Sequence, residues 1–133
     1  MGDFSKTYEG VVDVVISDCD IYTLDGKRKF HTDNAMWDTG STCTFVSDRI
    51  IRALQLEPSG MVGVSGIGGD VDTQKYVIHI SLPTGNVVTY FEVLSSEYED
   101  YDVIIGMDII NRGHFSLDSS GENTVFSFSL SET

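Results

Sequence analysis

Ala35-Met36-Trp37-Asp38-Thr39-Gly40-Ser41-Thr42-Cys43-Thr44-Phe45-Val46 is the stretch on which the fold turns. An apolar strand drives one carboxylate inward and stops at a Thr-Gly turn. Small hydroxyl-bearing residues and a second apolar pair follow. A lone Asp at the end of an apolar run is costly to bury unless it is hydrogen-bonded or paired. Asp and Gly are also ordinary turn residues, so a solvent-facing turn at Asp38 is the plain alternative. Asp-Thr-Gly arises by chance in roughly one chain in 30 to 40 of this length, so its surroundings must decide.

Upstream, Val11 to Tyr22 is rich in β-branched and apolar residues and predicts a strand. Leu24-Asp25-Gly26-Lys27 is an Asp-Gly hairpin signal, and Phe30 to Trp37 returns as a second strand that delivers Asp38 to its end. The carboxylates Asp13, Asp18, Asp20 and Asp25 fail the calcium-loop spacing, because Thr23 stands where Gly is needed and Tyr22 stands at a ligand position. They predict a solvated hairpin face.

Downstream, Thr44 to Val46 is a short strand. Ser47 is a helix N-cap, with Asp48 favourable in the first turn. Ile50, Ile51, Leu54 and Leu56 give a helical apolar face from about Asp48 to Leu56, ended by Pro58 and Gly60. Met61 to Asp70 carries Gly63, Gly66, Gly68 and Gly69. Val71 occupies the last glycine position of a dinucleotide loop, and Gly63-Val64-Ser65-Gly66-Ile67 lacks the final glycine of a nucleophile elbow. What remains is a hairpin whose backbone can approach a ligand closely.

Tyr76 to Leu82 alternates, Pro83-Thr84-Gly85-Asn86 turns the chain, and Val87 to Leu94 returns. Ser95 to Asp102 predicts a solvated acidic loop. Val103-Ile104-Ile105-Gly106-Met107-Asp108-Ile109-Ile110 predicts a buried strand broken at Gly106, with Asp108 capping a short helix through Asn111. Phe115 to Leu117 and Val125 to Leu130 form a last hairpin, with Phe126 and Phe128 on one face as core aromatics. His31, His79 and His114 are scattered, with no catalytic or zinc spacing among them.

The 133 residues suit one domain with a modest core. Hydrophobic residues make up 41% and charged residues 22%, which places the chain among globular proteins. Eight Lys and Arg against 21 Asp and Glu leave a net charge of −13. That balance repels nucleic acid and anionic membrane surfaces, so neither is an expected partner. Met1-Gly2-Asp3-Phe4-Ser5-Lys6 has no apolar leader segment, and no apolar run approaches a membrane span. Cys19 and Cys43 form neither a disulfide framework nor a metal spacing, so the expectation is reduced thiols in a cytoplasmic protein.

Three segments occur in a telling order: Trp37-Asp38-Thr39-Gly40-Ser41-Thr42 on a strand end, a hairpin with Gly66-Ile67-Gly68-Gly69, and Ile104-Ile105-Gly106-Met107-Asp108. This order resembles the retropepsin-like aspartic proteases, the single-domain relatives of pepsin. Ser47 to Gly60 also looks like the helix after the active-site turn in cellular and bacterial members. The likeness runs from about Val11 to Leu117.

The resemblance implies an all-β, retropepsin-like acid-protease barrel with one or two short helices, a single domain over residues 1–133, and an active site at the two-fold axis of a homodimer. It implies an aspartic endopeptidase acting on polypeptide substrates with no cofactor and no metal. Aspartic proteases work with two carboxylates and a water between them. Like charges roughly 3 Å apart cannot both ionise, so the pair shares one proton. This chain has one Asp-Thr-Gly, so a second copy must supply the other carboxylate.

By resemblance, Asp38 is the catalytic acid or base. Thr39 braces the two active-site loops, and Gly40 accepts or orients substrate backbone. Ser41 is among the substrate-binding residues, and its hydroxyl can hydrogen-bond the outer carboxylate oxygen. The hairpin Met61 to Asp70 is a flap whose Gly66, Ile67, Gly68 and Gly69 meet substrate, and Ile67 and Ile104 line side-chain pockets. Retroviral members usually follow Asp-Thr-Gly with Ala and acidic residues, where this chain has Ser41, Thr42 and Cys43. Met107 and Asp108 replace the retroviral Arg-Asn pair, so the ion pair that steadies the retroviral dimer is absent. Two rival readings stay open: a catalytically silent module of the same fold that binds peptide or dimerises, and a structural β-domain in which Asp38 only caps a turn.

Overall fold

A computed structural model of the chain describes residues 3–66 and 69–131. In chain order the elements are β1 (Asp3–Glu9), β2 (Val15–Tyr22), β3 (Lys29–Trp37), β4 (Phe45–Ser47), α1 (Asp48–Leu54), β5 (Gly60–Gly66) and β6 (Gly69–Ser81). There follow β7 (Val87–Ser96), β8 (Val103–Ile105), α2 (Met107–Ile110), β9 (Gly113–Asp118) and β10 (Asn123–Leu130). The protein is all-β with two short helices.

Seven strands form one sheet in the order β2-β3-β8-β4-β7-β6-β5. An additional pairing of β2 with β6 closes six of them into a barrel, and β5 extends from β6 as the outer arm of a hairpin. The buried β8 lies parallel to β3 and antiparallel to β4. Alternation along β2 sends Val15, Ser17, Cys19 and Ile21 into the barrel. Ile78, Ile80, Val93, Val103 and Ile105 meet them there.

A second sheet, β1-β10-β9, covers one end of the barrel. Its Phe126 and Phe128 are almost fully buried. The Trp37 ring lies 5.1 Å from the Phe126 ring and 4.9 Å from that of Phe128, and its Nε1–H donates to Ser17 Oγ at 2.8 Å. The residue before Asp38 is thus gripped by both sheets, which leaves the strand end little freedom.

Three expectations need correction. The first barrel strand begins at Val15, not Val11. Gly10 turns the chain at φ +68°, and Val11 is 78% exposed. The preceding residues form β1, a strand with no apolar alternation of its own, held by pairing along β10. Helix α1 stops at Leu54, because Gln55 adopts the left-handed region and the Gln55 and Leu56 amides turn back to the carbonyls of Arg52 and Ile51. Leu56 still packs on the core, but from outside the helix.

The Ser95–Asp102 segment is not uniformly solvated. Ser95 and Ser96 continue β7, and Asp102 is buried. Its carboxylate accepts from Thr32 Oγ1 at 2.6 Å, from Arg49 Nη2 at 2.6 Å and from Arg49 Nε at 3.1 Å. Its backbone joins Ser47 and Asn34. Asp102 therefore ties α1, β3 and β8 together.

Burial alone would raise the Asp102 pKa, but the hydrogen bonds from Arg49 and Thr32 and the Arg49 charge outweigh it and hold the carboxyl below its ordinary 3.8. A carboxyl depressed in the folded state adds stability above its unfolded value and loses it as pH falls through the folded one. Asp102→Ala is expected to cost about 1–3 kcal/mol at neutral pH, mainly by leaving the buried Thr32 hydroxyl proton without its acceptor; Arg49 is two-thirds exposed and its charge is screened. Urea midpoints should show the gap between wild type and variant narrowing as pH drops below about 4. A gap that is unchanged or wider there would contradict this account.

Candidate active site

Asp38 follows directly on β3. Its backbone N–H donates to the Ile105 carbonyl at 2.8 Å, which fixes the strand end against β8. The chain then turns tightly, with the Ser41 amide on the Asp38 carbonyl at 3.1 Å and the Gly40 amide on Asp38 Oδ1 at 2.9 Å. The Asp38 side chain is half-buried, while Thr39 and Gly40 are exposed. Among the described residues Oδ2 has no hydrogen-bond partner. One carboxylate oxygen is thus held by the loop, and the other is bonded by none of the described residues.

The far side of the loop is locked to the β8–α2 junction. Met107 N–H donates to the Ser41 carbonyl at 2.7 Å. Thr44, fully buried, gives its Oγ1 proton to Asp108 Oδ1 at 2.7 Å and its amide to Asp108 Oδ2 at 3.0 Å, while Oγ1 accepts from the Gly106 amide at 3.1 Å. The Thr44 carbonyl takes the Leu94 amide of β7 at 3.0 Å. Every polar group of Thr44 is used, which is what makes a buried threonine tolerable here.

Asp108 was expected to cap α2. Instead the N-cap is Gly106, with no side-chain cap bond, and Asp108 reaches back to Thr44. Ser41 Oγ, expected on the Asp38 carboxylate, donates to the Cys43 carbonyl at 2.7 Å, and a hydroxyl has one proton to give. Ile104 sits in β8 between Met36 and Phe45 and is 6% exposed. Gly66 and Gly69 pair with each other at the end of the β5–β6 hairpin. Ile67 and Gly68, which complete the expected flap tip, lie outside the described residues.

Sequence reasoning missed Thr44 and Asp108 as parts of the site. They are 64 positions apart. Only the oddity of an acid just after a buried strand could have pointed to them. His31, read as unremarkable, lies on the surface between the carboxylates of Asp20 at 2.6 Å and Asp33 at 2.9 Å. Among the described residues no cluster of side chains is arranged to hold a metal. No described helix is long and apolar enough to cross a membrane.

A family model described as "gag-polyprotein putative aspartyl protease" matches residues 23–112. The chain belongs to this aspartyl protease family. Solved structures agree on the fold. A retropepsin-like aspartic protease from Rickettsia conorii aligns with a TM-score of 0.61 at 10% identity, covering 97% of this chain and 94% of that one. The EIAV protease complexed with the inhibitor HBY-793 aligns at 0.53 and 19% identity, over 74% of this chain and 86% of that one. The simian foamy virus protease aligns at 0.51 and 23% identity, over 73% and 92%. A search of curated protein sequences finds no significant match. The retropepsin-like fold, read from three short segments, is therefore the fold of this aspartyl protease relative.

Proposed function

We propose that this aspartyl protease domain is an active endopeptidase whose catalytic dyad is completed by a second copy of the chain. The observation that carries the reading is the Asp38 carboxylate, with Oδ1 on the Gly40 amide and Oδ2 without a hydrogen-bond partner among the described residues, on a loop pinned from behind by Thr44 and Asp108. A carboxylate that only capped a turn would not need a loop so firmly held.

Two such loops related by a two-fold axis bring the two Asp38 side chains within proton-sharing reach. The pair then holds one proton between them. The ionised member takes a proton from water as it attacks the scissile carbonyl, and the protonated member donates to the carbonyl oxygen. The titrations belong to the pair, not to either residue. Thr39, exposed beside the turn, braces one loop against its mate, and Gly40 and Ser41 orient substrate backbone. The β5–β6 hairpin, with Gly66, Ile67, Gly68 and Gly69, closes over the extended peptide and excludes water. Ile104 forms part of a pocket floor. Each copy carries −13, so apolar contact between copies must overcome long-range repulsion, and added salt should favour association.

Sedimentation of the purified chain with and without a statine-type transition-state mimic tests the assembly. The expected result is a shift toward dimer mass on addition of the mimic, with one mimic bound per two chains. A chain that binds one mimic per monomer, or none, would overturn the proposal.

A further inference from the structure

A cavity of about 550 Å³ opens between the active-site loop and the base of the β5–β6 hairpin. Thr42 and Cys43 border it from the loop and Val62 from β5, with Leu94 of β7 as an apolar floor. Lys75 of β6 and Glu92 of β7 complete the wall, and their charged groups pair at 3.0 Å.

The placement of this pair follows from the sheet. Lys75 stands opposite Gly60 on one side and Leu94 on the other. A Cβ at position 60 would lie 2.8 Å from Lys75 Cε, so the lysine stem runs across the space that the glycine leaves open. Glu92, two residues before Leu94, is the diagonal neighbour of Lys75 on β7, within reach of a long side chain. The Lys75 side chain is 31% exposed and that of Glu92 61%. The pair is a charge-balanced, partly exposed edge of the cavity.

We propose that this cavity is a substrate side-chain pocket, and that the Lys75–Glu92 pair makes it select a neutral amide side chain, of the Gln or Asn type, over a charged one. The inference rests on the peptidase reading above. Thr42 is on the same loop as Asp38, and β5 belongs to the hairpin that would cover substrate, so a peptide lying over Asp38 passes between the walls of this cavity. An amide offers an N–H donor to Glu92 and a carbonyl acceptor to Lys75 without breaking their pairing. A substrate carboxylate meets Glu92, and a substrate ammonium meets Lys75; each must either split the pair or lie beside a like charge. The methylenes of the side chain rest on Leu94 and Val62.

Cleavage profiling with a peptide library randomised around the scissile bond tests this on the full chain. For the wild type, Gln and Asn should be enriched at the position that the cavity faces, once on each side of the scissile bond, because each copy of the dimer carries the cavity. Lys75→Glu, which places two carboxylates at the wall, should move the preference at that position toward Lys and Arg by about tenfold. Glu92→Lys should move it toward Asp and Glu by a similar factor, and the double charge swap should restore the amide preference. The proposal is overturned if the single variants cleave with the wild-type profile, or if the wild type prefers a charged residue there. A wild type that cleaves no peptide in an Asp38-dependent way would instead defeat the peptidase reading, and this inference with it.

Discussion

Asp38→Asn is expected to leave the fold intact and lower kcat/KM for peptide cleavage by about a thousandfold or more, the scale of losing positioned acid–base chemistry. Asn is nearly isosteric with Asp, and its side-chain oxygen can still accept the Gly40 amide now held by Oδ1 at 2.9 Å. The turn therefore has no reason to open, and thermal stability should change by less than about 1 kcal/mol. What is lost is ionisation. An amide cannot take a proton from water, and two amides facing each other cannot share one. Steady-state cleavage assays alongside thermal melts check both halves. A variant that cleaves as fast as the wild type would remove Asp38 from the chemistry.

Gly106→Ala should be among the most damaging single-methyl changes at the described residues. The Gly106 backbone is extended and suits any residue, so the obstacle is space. An added Cβ would lie 2.2 Å from the Cys43 carbonyl oxygen, 2.6 Å from its carbon and 2.9 Å from the Ser41 carbonyl oxygen. All three are backbone atoms, which cannot rotate away. The loop from Ser41 to Cys43 would have to move, breaking the Met107 amide bond to Ser41 and the Gly106 amide bond to Thr44. Overpacking of this kind is expected to cost about 3 kcal/mol or more, a large share of the roughly 5–15 kcal/mol that hold a domain folded. Activity should fall further than stability predicts, because the displaced segment is continuous with Asp38. Gly63→Ala is the control: nothing lies within 4 Å of its would-be Cβ, and the change should stay within about 0.5 kcal/mol. Calorimetric melts of the two variants separate the cases, and a Gly106→Ala protein as stable as the control would contradict the packing seen here.

The barrel was legible because its strands alternate or run apolar over short windows, and because the Asp-Gly and Pro-Thr-Gly-Asn turns punctuate them. The N-cap at Ser47 was equally local, and its Oγ does accept the Ile50 amide. What stayed hidden depends on partners far along the chain. The strand β1 shows only Phe4 and Tyr8 as large apolar residues, and it exists because β10 pairs along its whole length. Asp102 looked like one more member of a charge run until Thr32 and Arg49 closed around it. Asp108 stood where a helix cap would serve, yet Thr44 offered it both a hydroxyl and an amide. Local propensity finds elements, whereas the bonds that lock the site are long-range and carry no sequence period.

The central claim is that two chains share one catalytic centre, and mixing the inactive Asp38→Asn chain into the wild type measures it. Random pairing predicts that activity per wild-type chain falls to about half in an equimolar mixture and continues to fall as the inactive chain is added. Activity per wild-type chain that stays constant at every ratio would mean that one copy works alone, and the shared dyad would be wrong.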